Sequence, residues 1–207
     1  MQKLNKDFYL QNDVASIARA LLGKVIVTNF NRQYTAARIV ETEAYAGIVD
    51  KASHAWNGRR TQRTEIMFGE GGTAYVYLCY GIHHMFNIVT NKSNVPDAVL
   101  IRGVQPLEGI DVMLQRFNRS KQDTAIGRGP GNVGKALGIF TMHSGWSLSG
   151  DELFIADDGT TYHELMVSKR IGVDYAGTHA QWLYRFFIKD HPQVTKHNFN
   201  KTAVQLL

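Results

Sequence analysis

Two carboxylates and an aromatic ring interrupt the stretch Arg38-Ile39-Val40-Glu41-Thr42-Glu43-Ala44-Tyr45, which otherwise reads as a buried β-strand. Side chains alternate faces along a strand. Ile39, Glu41, Glu43 and Tyr45 are therefore predicted on one face, with Val40, Thr42 and Ala44 on the other. Glu41 and Glu43 then lie roughly 7 Å apart at ordinary strand rise. An acid beside a flat ring, at the end of a rigid strand, suits chemistry on a flat substrate. A solvated strand face with cross-strand ion pairs explains the same residues, because exposed carboxylates are common. The rest of the chain must decide between the two.

A second unusual segment is Tyr75-Val76-Tyr77-Leu78-Cys79-Tyr80-Gly81. Tyr75, Tyr77 and Cys79 alternate to one face, and Tyr80 falls at a break where Gly81 permits positive φ. Tyr75 reads most simply as aromatic core. A tyrosine at a turn tip projects outward, where one ring could stack on a base and the tip could wedge into a helix. His54, Arg59, Arg60 and Arg63 follow the glutamate strand in a polar loop, and such cations commonly hold phosphates. Gly127-Arg128-Gly129-Pro130-Gly131 with Gly134-Lys135 lacks the order of an ATP loop. It fits an amide cradle at a helix start for one nucleic-acid phosphate. His83 and His84, adjacent in a strand, face opposite ways and cannot chelate together. No metal-ligand spacing occurs, so no catalytic metal is expected. No nucleophile elbow is present, and Cys79 sits in an apolar aromatic strand, a poor setting for a thiolate.

The elements that must position these residues follow from spacing. Asn12 or Asp13 caps a helix over about 14–22, and Gly23 stops it. Strands are predicted over 24–30 and 35–45, joined by the turn Asn31-Arg32-Gln33. Further strands fall over 74–79, 84–90, 98–104, 152–156 and 183–189. A helix is predicted over 106–119, with Ile110, Met113, Leu114 and Phe117 on one side, and a shorter one over 133–137. Residues 47–72 read as functional loop. Helices and hairpins mix without a βαβ rhythm, so the fold class is α+β. The 207 residues are 44% hydrophobic, without repeat or linker, and suffice for one domain over 1–207. One cysteine precludes an intramolecular disulfide and fits a reducing, cytoplasmic compartment. There is no signal core and no membrane-length apolar run. A net charge of +5 makes a polyanionic partner plausible without requiring one.

The motif order is more specific than any single motif. The glutamate strand, Thr73-Ala74-Tyr75-Val76-Tyr77 with Tyr80-Gly81, Asn87, Leu100-Ile101-Arg102, Pro106-Leu107-Glu108-Gly109 and Arg170-Ile171-Gly172-Val173 occur in fixed succession. Together they resemble the alkyladenine (3-methyladenine or methylpurine) DNA glycosylase family, over nearly the whole chain. The resemblance implies a curved, mainly antiparallel sheet with flanking helices and a protruding β-hairpin. It implies Glu43 as the base that activates the attacking water, with Arg102 and the Ile171 carbonyl helping to hold that water. Tyr45 and Tyr77 would stack on the flipped base, the His54 position would give a backbone N–H, and Asn87 would disfavour guanine's exocyclic amine. Tyr80 would replace the extruded nucleotide. Arg59, Arg63 and Lys135 are the candidates for DNA phosphates. No cofactor is implied, the partner is damaged double-stranded DNA, and a monomer is expected, nucleoid-associated if bacterial. Residues 144–159 and the tail after Lys189 do not map cleanly onto the resemblance.

The residues agree with that chemistry. A base inside a duplex must be extruded before it can be cut, and its gap filled. Hydrolysis of an N-glycosidic bond needs a water, a base and stabilisation of a cationic sugar, and one carboxylate can serve the last two needs. No lysine accompanies Glu43 on its strand, which favours direct hydrolysis over a Schiff base. Glu41 either raises the proton affinity of Glu43 or pairs with an arginine outside the pocket. Two other readings remain. A non-catalytic nucleic-acid-binding module has no use for Glu43 facing its ligand. A small-molecule hydrolase using Glu41 and Glu43 as a carboxylate pair leaves Tyr80-Gly81 and the basic loops unexplained.

Overall fold

A computed structural model of the chain describes residues 1–206. Strand β1 (Gln2–Lys3) and one helical turn, α1 (Lys6–Tyr9), precede helix α2 (Val14–Ala20). The Asp13 carboxylate accepts the Ala15 and Ser16 N–H groups and so caps α2. Strands β2 (Val25–Phe30) and β3 (Gln33–Tyr45) form a hairpin. Asn31 and Arg32 take positive φ at its turn, the sense that matches strand twist. A second hairpin joins β4 (Thr73–Cys79) to β5 (His83–Thr90). Then come β6 (Asp97–Glu108), α3 (Ile110–Phe117) and α4 (Pro130–Leu137). The chain finishes with β7 (Leu153–Asp157), β8 (Leu165–Ser168), β9 (Arg185–Ile188) and β10 (Val204–Gln205).

Every strand pair is antiparallel, in the order β1-β7-β2-β3-β6-β5-β4. The sheet forks at β3. Its first half pairs with β2, and its last part, Glu41 to Glu43, pairs with β9, which leads to β8 and β10. Helices α2, α3 and α4 bury Ile17, Met113 and Val133 against Ile39, Phe86, Ile88 and Val104 in one main core. This is an α+β fold whose sheet does not close into a barrel. Among the described residues no helix is long and apolar enough to cross a membrane.

The strict alternation predicted for β3 fails at the fork. Ile39 pairs with Val104, Glu41 with Gly103, and Thr42 with Ile101. Val40 is thus an extra residue in β3 and Arg102 an extra residue in β6, a pair of bulges that resets the faces. Ile39 consequently lies in the main core with Ala37 and Ala44, not beside Glu41 and Glu43. Val40 packs with Phe187 and Ile188. The helix expected from Pro106 begins instead at Ile110. Pro106 remains in β6 opposite Ala37, and Gly109, at φ 68°, makes the reversal into α3. A Cβ at Gly109 would lie 2.1 Å from the Tyr34 carbonyl oxygen, so only glycine fits.

Candidate active site

Strands β3, β4, β5 and β6 and the loops after β3 and β8 surround a cavity of about 450 Å³. Tyr45, His54, Tyr75, Tyr77, Asn87, Arg102 and Ile171 line it, over an apolar floor that includes Met67, Met85, Ala98 and Leu100. Residues from positions 45 to 171 therefore meet at one place.

Glu43 is fully buried behind the cavity lining, and the residues that donate to it, Tyr45, Arg102 and Ile171, belong to that lining. Its Oε2 accepts the Tyr45 hydroxyl at 2.8 Å and an Arg102 N–H at 3.3 Å. Its Oε1 accepts the Ile171 backbone N–H at 2.7 Å. The expectation for Ile171 concerned its carbonyl; the bond present is from its amide. Burial first, then the Glu43 charge, holds the Tyr45 phenol well above its usual range, so it stays a donor. The bulge at Arg102 turns its side chain toward both glutamates, with Nε 3.4 Å from Glu41.

Glu41 has a different environment. It is fully buried, accepts Arg185 Nε at 2.6 Å, and takes both the backbone N–H and the hydroxyl of Thr195. Burial alone would raise its pKa. The Arg102 and Arg185 charges and the Thr195 bonds outweigh it and hold the carboxyl below the ordinary range. Neither glutamate lines the cavity itself, but the donors to Glu43 (Tyr45, Arg102 and Ile171) do, whereas Arg185 and Thr195, which hold Glu41, do not. Of the two roles open to it, the paired carboxylate is the one observed.

His54 is pushed down to about 4 by burial, then by the charges of Arg63 and Arg59, and is neutral at physiological pH. Arg63 can only donate, and it reaches His54 Nε2 at 3.1 Å. The same Arg63 nitrogen lies 3.4 Å from Nδ1, which is 2.9 Å from the Tyr75 hydroxyl oxygen. Tyr75 is buried, and Tyr77 lies beside it at 5.6 Å between ring centroids. Both Nδ2 hydrogens of Asn87 go to the carbonyls of Tyr75 and Met85, at 3.1 Å each. That fixes the amide and leaves Oδ1 uncommitted by those bonds.

The hairpin between β4 and β5 ends in Tyr80 and Gly81, both at positive φ, in a turn closed by the Ile82 N–H on the Cys79 carbonyl. Tyr80 is 91% exposed, with Leu78 and Ile82 also exposed at the tip. Arg59 is exposed in the loop after β3. Arg63, a candidate for a DNA phosphate, is also exposed, and its guanidinium carbon lies 4.8 Å from the Tyr77 ring centroid. Lys135 lies in the last turn of α4, over the Phe117 ring, and not at the helix start.

Sequence reasoning missed the supports behind the site. Arg170 and Asp50 form a fully buried pair, and Arg170 also donates to the carbonyls of Ala44 and His179. Its guanidinium carbon is 4.8 Å from the Tyr45 ring centroid. These partners are 120 positions apart, so no local pattern signals them. Arg185 did carry a signal. A charge within Arg185-Phe186-Phe187-Ile188 needs a buried partner, and Glu41 was the unpaired carboxylate.

A family model described as methylpurine-DNA glycosylase matches residues 7–192, a span that includes 144–159. A relative in Clostridium perfringens (strain 13 / Type A), with the provisional name 3-methyladenine DNA glycosylase, is 41% identical over 204 residues. That alignment covers 94% of this chain and 99% of the relative. One of the same provisional name in Clostridium novyi (strain NT) is 42% identical over 203 residues, covering 95% of this chain and all of the relative. A third, in Desulfitobacterium hafniense (strain Y51), is 41% identical over 202 residues, covering 94% and 99%. The chain belongs to the methylpurine-DNA glycosylase family, and with membership come a DNA-glycosylase type of hydrolase activity, DNA binding and a part in base-excision repair.

Proposed function

We propose that the protein is a monofunctional glycosylase that flips alkylated or deaminated purines from duplex DNA and hydrolyses their N-glycosidic bond. The substrates are of the 3-methyladenine, 7-methylguanine, hypoxanthine and ethenoadenine class. The observation that carries this reading is the buried Glu43 carboxylate, held by Tyr45, Arg102 and Ile171 at the wall of an aromatic cavity. In this mechanism the exposed Tyr80 fills the vacated stack, and the base enters between Tyr45 and Tyr77. Asn87 Oδ1 meets the base edge, where it accepts from a donor or crowds an exocyclic amine. Arg102 and the Ile171 segment orient a water against Glu43, which takes its proton and offsets the charge on the sugar. Among the described residues no lysine lines the cavity, which favours water over an amine as nucleophile. The pairing of Glu41 with Arg185 and Thr195 argues against a carboxylate-pair hydrolase.

The test is base release from duplex oligonucleotides, each with one of these lesions. Release of free base leaving an alkali-labile abasic strand is expected for at least one. Tight binding to abasic duplex without release from any lesion would leave a binding module. No binding to DNA would end the reading.

A further inference from the structure

The charges around the cavity do not cancel. Glu43 faces Arg102, Glu41 faces Arg185, and Asp50 faces Arg170. Arg63 lines the same cavity, yet among the described residues it has no carboxylate partner. Neutral groups hold it instead: the His54 ring nitrogens, the Tyr75 side chain and the face of Tyr77. The rings proposed to stack the base are therefore each occupied by a guanidinium, Tyr77 by Arg63 and Tyr45 by Arg170. A ring attracts cations through the negative face of its quadrupole. A second cation brought to a ring already so engaged meets the repulsion of the first. A base stacked on Tyr77 therefore comes near the Arg63 charge.

Damaged purines divide by charge. Methylation at a ring nitrogen, as in 7-methylguanine or 3-methyladenine nucleotides, leaves a formal positive charge on the base. Hypoxanthine and ethenoadenine are neutral. We infer that Arg63 is a specificity-determining residue, which biases the pocket toward neutral damaged purines over cationic ones. This rests on the glycosylase reading and names the substrate class within it. The lowered proton affinity of His54, due first to burial and then to Arg63 and Arg59, is consistent with a pocket that resists further positive charge.

Two variants test it in single-turnover excision from matched duplexes carrying hypoxanthine or 7-methylguanine. Arg63→Met removes the charge and keeps an apolar stem on Tyr77. Arg63→Lys keeps the charge without the planar fork. Comparing each variant with the parent cancels the intrinsic difference in leaving ability between the two bases. Arg63→Met is expected to shift the rate ratio toward 7-methylguanine by about tenfold, as removal of one nearby like charge in a partly shielded site would. Arg63→Lys is expected to hold the ratio within about threefold of the parent. Arg63 is exposed, so both variants should fold, and thermal denaturation checks it. An unchanged ratio in Arg63→Met, or an equal fall of both rates, would overturn the inference while leaving the glycosylase reading intact. A parent that releases neither base would overturn the reading itself, and the inference with it.

Discussion

Glu43 has both carboxylate oxygens committed to donors before any substrate arrives, and Tyr45, Arg102 and Ile171 share the task. Glu43→Gln keeps the volume but cannot take a proton from water. Single-turnover excision is expected to fall on the order of a hundredfold or more, with abasic-site binding retained. Rates within about threefold of the parent would remove Glu43 from the chemistry. Glu41→Gln should cost excision much less and stability much more, because it leaves Arg185 buried without its carboxylate. A loss of about 3 kcal/mol near neutral pH is expected from denaturant unfolding. Glu41 is held below its ordinary pKa in the fold, so its contribution is full above the unfolded value. It disappears as pH falls through the folded one. The gap between parent and variant should therefore narrow as pH drops below about 4. A gap that is constant with pH would mean that packing, not charge, is what Glu41 supplies. Asn87→Ala belongs to the same scale. Without the fixed amide, release of undamaged guanine should rise relative to the parent, and unchanged guanine release in a folded variant would make Asn87 purely structural.

At the scale of elements, the β4–β5 hairpin and the bulged part of β3 differ in how far sequence reveals them. The hairpin was legible because Tyr80-Gly81 interrupts an alternating run, and the structure places both residues at positive φ. Tyr80→Ser should weaken lesion-specific binding in well-paired duplexes with little change in melting temperature, since the side chain is 91% exposed. The effect should shrink at a mismatched site, where unstacking costs less. Equal losses at both kinds of site would assign the wedge to a neighbour such as Ile82. The bulges at Val40 and Arg102 were not legible. A bulge is a choice of register between strands whose paired residues, such as Glu41 and Gly103, are far apart in sequence, and periodicity within either strand cannot see it. Pro106 misled for a related reason. A proline followed by an apolar helical pattern reads as a first helical residue, but pairing with Ala37 holds it in the strand.

Over the whole molecule, the α+β class followed from the mixture of hairpins and helices, and the convergence of the cavity residues rested on motif order. The tail could not be read. It has no periodic pattern, and its contribution is made through contacts with distant residues: polar bonds, the buried Val194 and the short pairing of β10 with β8. Thr195 binds Glu41, Asn200 binds Arg185, and both lie beyond the family-matched span. Removing residues 193–207 should lower the melting temperature and, in whatever remains folded, reduce excision. Unaltered excision and stability would show that the arginine–glutamate network stands without the tail. The fork at β3 has a further consequence in hydrogen exchange. From Glu41 to Glu43 the strand is bonded along both edges, by β6 and by β9, so its amides should exchange only when the whole domain opens. Residues 47–72 and 171–182, which form much of the rest of the cavity wall, are short turns, and their amides should exchange through local opening. Glu43, the proposed general base, would then be a fixed point on the slowest-opening element, and accommodating a base would be an affair of the fast-opening walls around it. Exchange at Glu43 as rapid as that at Asn57 would contradict this division.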